Sequence, residues 1–212
     1  MIKRSTIPNV ITVARILMAP IVMWLIFVPT FTARLIAFIL FLIAAFSDLI
    51  DGHLARKHGW ISDFGKLLDP IADKLLLFTT VLPFYLLSHR SAYDDVLPII
   101  RVLPLWIVLI VFGRELLITG IRAVAARRGI VIPAGKAGKH KAVWQNIFIG
   151  TTIFWYALRS AALDHGWQTA FWSFWQKLHG AVFIISLTVA VILTVYSLVV
   201  YLWSWRKLTT AL

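Results

Sequence analysis

From Leu178 to Trp205 the chain carries no Asp, Glu, Lys or Arg, and between Asn9 and Val28 it carries only one, Arg15. Stretches of about 20 apolar residues are long enough to cross a bilayer as helix. In hydrocarbon every backbone polar group must be satisfied within the protein, which leaves helices or a closed barrel. A barrel needs strands of about ten residues with alternating polarity, and the chain has none. Of its 212 residues 60% are hydrophobic and only 14% charged, too apolar throughout for a soluble domain of this size. The expected architecture is all-α: a polytopic integral membrane bundle of six transmembrane helices, forming a single domain over residues 1–212.

The expected helices lie at about 9–28, 33–56, 63–88, 97–127, 139–161 and 177–205. Pro29 and Thr30 close the first. Gly129, Pro133, Gly135 and Gly138 make 129–141 the candidate flexible loop. Lys3 and Arg4 before an apolar stretch look superficially like a signal peptide. The stretch is long and no small-x-small cleavage site follows, so a retained first helix is expected. The absence of cysteine excludes disulfides and thiolate metal sites. The formal charge of +12 fits basic loops and anionic lipid surfaces, and nucleic acid is not expected as a partner. Among ten tryptophans, Trp167, Trp172, Trp175, Trp203 and Trp205 fall near helix ends and read as interfacial anchors.

Placing the amino terminus in the cytoplasm puts Lys3, Arg4, Arg56, Lys57, Lys66, Arg122, Arg127, Arg128, Lys136, Lys139, Lys141, Arg206 and Lys207 on that side. The opposite side then holds only Arg34, Arg90, Arg101, Arg159 and Lys177. The positive-inside rule therefore predicts both termini in the cytoplasm.

Five of the nine carboxylates lie between residues 48 and 73, at the ends of two of these apolar stretches. Acidic groups are costly at a membrane, so such a cluster calls for a cation or a function. At ~100° per residue, Asp48, Asp51, Gly52, Ala55 and Arg56 share an arc of roughly 140°. Asp69 and Asp73, one turn apart, share a second face with Gly65. Two antiparallel helices would present four carboxylates to one another, a repulsion that hard Mg²⁺ or Mn²⁺ relieves through oxygen ligation. Gly52, Ala55 and Gly65 leave room for close helix packing or for a ligand near the backbone. Arg56 is suited either to a phosphate or to anchoring at the membrane face. Each aspartate alone would pass as part of a structural charge network; the four together, with this spacing, point to a metal and pyrophosphate site.

The run Asp48-x2-Asp51-Gly52-x2-Ala55-Arg56-x8-Gly65-x3-Asp69-x3-Asp73 resembles, without departure, the signature of the CDP-alcohol phosphotransferases, six-helix membrane enzymes of phospholipid synthesis. The resemblance implies displacement of CMP from a CDP-linked lipid by an alcohol. It implies two divalent cations held by Asp48, Asp51, Asp69 and Asp73, with Asp73 as general base. It further implies that Gly52, Ala55, Arg56 and Gly65 accommodate the cytidine nucleotide, that the protein is a homodimer, and that it sits in the inner membrane of a bacterium.

A second, basic set bears on the acceptor. Arg15 lies in the first helix, Arg114, Glu115, Thr119 and Arg122 in the fourth, and Lys139 with Lys141 opens the fifth. Intramembrane charges usually face the bundle interior, so these cations are candidates for an acceptor phosphate. Arg114 is equally suited to pairing with Glu115, and Lys139 and Lys141 also satisfy the positive-inside rule. The segments Ile7 to Arg15, Arg114 to Arg122 and Gly138-Lys139-His140-Lys141 resemble the branch of the family that converts CDP-diacylglycerol and sn-glycerol 3-phosphate to phosphatidylglycerophosphate. Ala142 departs from that branch, which has threonine there. Branches that make phosphatidylinositol phosphate, phosphatidylserine or cardiolipin are the alternatives within the family. Outside it, a divalent-cation transporter would use the acids as an ion path, but such sites usually lie near mid-membrane in repeated halves.

Overall fold

A computed structural model describes residues 7–58, 63–90, 96–127 and 136–210. Six helices account for almost all of these: α1 (Ile7–Phe27), α2 (Phe31–His58), α3 (Asp63–Ser88), α4 (Leu105–Arg127), α5 (Lys136–His165) and α6 (Ala170–Thr210). There is no strand among the described residues. Four helices, α1, α2, α3 and α6, contain spans long and apolar enough to cross a membrane. The other two interrupt their apolar runs with charged or polar groups: Arg114, Glu115 and Arg122 on α4, and Lys141, Gln145, Asn146, Thr151 and Thr152 on α5.

The helices pack as a closed ring in the order α1, α2, α5, α6, α4, α3, with α3 also meeting α5 across the middle. Short connections make sequence neighbours antiparallel, while the α2–α5 and α4–α6 seams join elements distant in sequence. The interior is aromatic and aliphatic. Phe84 of α3 meets Phe148 and Tyr156 of α5 at 6.1 and 6.0 Å between ring centroids, and Phe148 meets Phe183 of α6 at 5.6 Å. Such tilted and edge-on pairs contribute about 0.5–1.5 kcal/mol each beyond their buried area. The outer surface carries Leu17, Trp24, Phe46, Leu109, Leu116, Ile192 and Trp203, all exposed. On a soluble protein so much apolar surface would promote aggregation; on a membrane protein it faces lipid.

At the end of the bundle away from the acidic run, Arg34 of α2 is fully buried. Its Nε donates to the Ile26 carbonyl at the end of α1, and its Nη1 donates to Tyr156 O and Ser160 Oγ on α5. A cation is well placed there, because the last carbonyls of a helix lack intrahelical donors and carry its negative dipole end. Arg34, expected in an outer loop, is instead an internal tie between three helices.

The fourth helix starts at Leu105, not near 97. Pro98 and Pro104 are responsible: each lacks an N–H and disfavours helix in the residue before it. Residues 97–101 fold into a tight turn in which Leu97 and Arg101 exchange both backbone hydrogen bonds. Ile99 and Arg101 adopt φ of 63° and 58°, a region that costs a non-glycine residue about 1–3 kcal/mol. The turn is held by packing. Ile99 lies against Gly180 of α6, where an added Cβ would come within 3.1 Å of Ile99 Cγ1, and Trp155 Nε1 donates to Val96 O at 2.8 Å.

The fifth helix begins at Lys136, earlier than expected, so Gly138, Lys139 and Lys141 are helical. Residues 129–135 of the expected loop lie outside the described residues. Two tryptophans expected as anchors are packed inside the α5–α6 seam: Trp172 stacks on Trp155 with 10° between the ring planes, and Trp175 meets Phe154 edge-on. Trp203 is exposed.

Candidate active site

The acidic run is organised by α1. Thr12 and Arg15, one turn apart, project from one face of that helix toward α2 and α3. Thr12 Oγ1 donates to Asp69 Oδ1 at 2.7 Å. Arg15 Nη1 donates to Asp73 Oδ1 at 2.9 Å and also to Asp48 Oδ1. Arg15 is 1% exposed, whereas the Asp48 and Asp73 side chains are 42% and 58% exposed. The guanidinium is thus sunk in the wall while the two carboxylates it bridges stay open. Asp69 and Asp73 occupy successive turns of α3, and Asp51 lies one turn beyond Asp48 on α2. The side chains of Asp51, Gly52, Ala55, Arg56 and Lys139 lie outside the described residues; Gly65 is half-buried on α3.

Arg15 tests whether this acidic site suits a cation. Asp48 and Asp73, from different helices, converge on one positive nitrogen, so their placement requires positive charge between them. Their donors are carboxylate oxygens, the chemistry hard divalent cations prefer. Among the described residues no group of three or more His, Cys, Asp or Glu side chains gathers as a metal set. In charge and donor type, though not in number of ligands, the described carboxylates fit a divalent cation.

A cavity of about 240 Å³ opens beside these carboxylates. Its far wall is built by α4 and α5. Glu115 accepts from Arg114 Nη1 at 2.9 Å and from Lys141 Nζ. All three are largely buried. Gln145, one turn after Lys141, lines the same wall. Arg114 Nε and Gln145 Nε2 are buried with no hydrogen-bond partner among the described residues. The charged residues of the lining are the cations Arg15, Lys74, Arg114 and Lys141 and the carboxylates Asp48, Asp73 and Glu115. One space thus joins an acidic pair suited to metal with a basic wall suited to an anion.

Of the basic set, Arg15, Arg114 and Lys141 border this cavity. The pairing of Arg114 with Glu115 is present, and it coexists with a place in the cavity wall. Arg122 is exposed, two turns further along α4, with its guanidinium 5.5 Å from the centre of the Tyr201 ring. It is not part of the lining, and neither is Thr119, whose hydroxyl donates to the Glu115 carbonyl of its own helix. Thr12 and Gln145 carry no role in a reading of the sequence alone. Each lies one turn from a cation that does, Arg15 and Lys141, and that spacing is the signal that marks them.

A ring of membrane helices with an aspartate-lined cavity at one end suits an intramembrane transferase, and sequence comparison assigns that class. Residues 5–205 match the CDP-alcohol phosphatidyltransferase family, and the chain belongs to it. The CDP-diacylglycerol–glycerol-3-phosphate 3-phosphatidyltransferase of Bacillus subtilis is 37% identical over 153 residues, covering 66% of this chain and 72% of the relative. The protein of the same name from Rickettsia bellii is 32% identical over 141 residues, with coverage of 66% and 71%. A CMP-forming cardiolipin synthase from Streptomyces coelicolor is 31% identical over 176 residues, with coverage of 79% and 75%.

Proposed function

We propose that the protein transfers the phosphatidyl group of CDP-diacylglycerol to sn-glycerol 3-phosphate, giving phosphatidylglycerophosphate and CMP. The observation that carries this reading is the single cavity in which Asp48 and Asp73 face Arg114 and Lys141. The reaction needs those two environments within one small molecule's length of each other. The names of the Bacillus and Rickettsia relatives support the same acceptor.

In this reading the attacking hydroxyl oxygen bonds to the lipid-side phosphorus. The bond from that phosphorus to the oxygen bridging toward CMP breaks, and CMP leaves with the electron pair. Asp73, exposed to the cavity, takes the hydroxyl proton. Asp48, Asp51, Asp69 and Asp73 would hold two divalent cations, Mg²⁺ or Mn²⁺, whose charge when bound neutralises the pyrophosphate and the departing CMP. Thr12 orients Asp69 through its hydroxyl, and Arg15 keeps Asp48 and Asp73 together. Gly52, Ala55, Arg56 and Gly65 accommodate the nucleotide. Arg114 and Lys141 bind the acceptor phosphate by charge-assisted hydrogen bonds, with Arg15 and Lys139 completing the basic set and Arg122 adding positive charge from outside the lining. The charge asymmetry supports a cytoplasmic active site and cytoplasmic termini. Family resemblance supports a homodimer.

A second reading, cardiolipin synthesis, is favoured by the Streptomyces relative, which matches a larger share of the chain. The two separate in one assay. Purified protein in detergent is given CDP-diacylglycerol and, in turn, glycerol 3-phosphate, inositol 1-phosphate, serine or phosphatidylglycerol, and CMP release is followed with and without Mg²⁺ or Mn²⁺. Metal-dependent release with glycerol 3-phosphate alone is expected. Release only with phosphatidylglycerol would replace this reading by the second, and no release with any alcohol would reopen the transporter.

A further inference from the structure

Two neutral amides line the cavity, Gln145 and Asn146, and Gln145 is the more deeply buried. Gln145 is 7% exposed, and its Nε2 has no hydrogen-bond partner among the described residues. Elsewhere on α5, Thr152 donates to Phe148 O, Ser160 to Tyr156 O, and Lys141 to Glu115. A buried amide without a partner is destabilising relative to one left in water, so its retention at a cavity wall points to a ligand that satisfies it. Gln145 occupies the turn between Lys141, which supplies charge, and Ile149, which with Phe41 makes the apolar floor. An amide donor is also the wrong group to dominate phosphate binding beside two cations. It is the right group to select a hydroxyl, because a neutral donor gains little from charge and much from direction.

We propose that Gln145 is a specificity-determining residue of the acceptor subsite, its amide donating to the non-reacting hydroxyl on the middle carbon of the acceptor. The assignment rests on the glycerol 3-phosphate reading above. With the phosphate on Arg114 and Lys141 and the attacking hydroxyl before Asp73, the middle carbon lies along the wall that Gln145 forms. An alcohol phosphate without that hydroxyl leaves the amide unsatisfied and is rejected.

The test compares glycerol 3-phosphate with 3-hydroxypropyl phosphate, which keeps the phosphate and the attacking hydroxyl but lacks the middle one. The wild-type protein is expected to favour glycerol 3-phosphate about 100-fold in kcat/KM, the cost of leaving one buried donor unsatisfied. Gln145→Met, similar in length and apolar, should lower kcat/KM for glycerol 3-phosphate about 50-fold. It should leave that for 3-hydroxypropyl phosphate within about 2-fold of wild type. Gln145→Leu, neutral and also without a donor, should show the same contrast if the methionine variant does not fold. An equal loss with both acceptors in a variant that keeps the wild-type thermal midpoint overturns the assignment and leaves the glycerol 3-phosphate reading standing. Failure of the wild-type protein to use glycerol 3-phosphate overturns both.

Discussion

Arg15 of α1 bridges two carboxylates, one from α2 and one from α3, that would otherwise repel one another. Two unit charges 4 Å apart interact by about 4 kcal/mol at an effective dielectric of 20, and exposure of both acids to the cavity reduces this considerably. The same arithmetic sets the guanidinium against any divalent cation on those acids. Arg15→Met should therefore tighten Mn²⁺ binding about tenfold, equivalent to ~1.4 kcal/mol, measured by the paramagnetic resonance signal of the free ion. Unchanged or weaker binding would mean that holding the two acids together outweighs the competition for them. Asp73→Asn removes a proton acceptor while nearly preserving shape. It should lower kcat at least 10³-fold, at the strong end of what a general base supplies, while CDP-lipid binding is largely retained. Full turnover in that variant would remove Asp73 as the base. The aspartates were legible in the sequence because their spacing is local to two helices. The bonds from Arg15 to Asp48 and Asp73 were not, because they depend on which helix packs beside which.

The same distinction operates at the scale of the element. Helices α1, α2, α3 and α6 could be read directly, since an uninterrupted apolar run in hydrocarbon has few alternatives. The start of α4 could not, because apolar residues continue through Pro98 and Pro104 while the backbone turns at Ile99 and Arg101. Helix α4 also shows how a shared arc can mislead. Glu115 and Arg122 project in similar directions, yet Glu115 meets Lys141 at the cavity while Arg122, two turns away, lies over Tyr201. Arg114 is the nearer candidate for the acceptor phosphate. Arg114→Ala is expected to raise KM for glycerol 3-phosphate at least tenfold, and Arg122→Ala to raise it by less, with CDP-lipid KM nearly unchanged in both. Loss of a charge-assisted hydrogen bond of about 1.5–3 kcal/mol supports the first figure. An Arg122→Ala effect confined to the CDP-lipid would take Arg122 out of the acceptor set.

Across the whole molecule, the ring order α1, α2, α5, α6, α4, α3 brings the acid-bearing ends of α2 and α3 together with Arg114 on α4 and Lys141 on α5. Sequence periodicity says little about such adjacency, because lipid tails and neighbouring helices are equally apolar surroundings for a helix face. The chemistry is concentrated toward one end of the ring, and the other end is closed by Arg34 and the Trp155, Trp172 and His179 stack. A site that consumes a soluble phosphorylated alcohol and releases CMP is useful only if that end opens to the compartment holding both. Orientation is therefore part of the function, and the absence of cysteine makes it directly measurable. Gln168→Cys places one thiol between α5 and α6, and Ala126→Cys places one at the other end of the bundle, both at exposed positions. In intact cells a membrane-impermeant maleimide should label the first and spare the second, with both labelled once the membrane is permeabilised. The reverse pattern would put the aspartates outside, where neither substrate pool nor the positive-inside rule accounts for them.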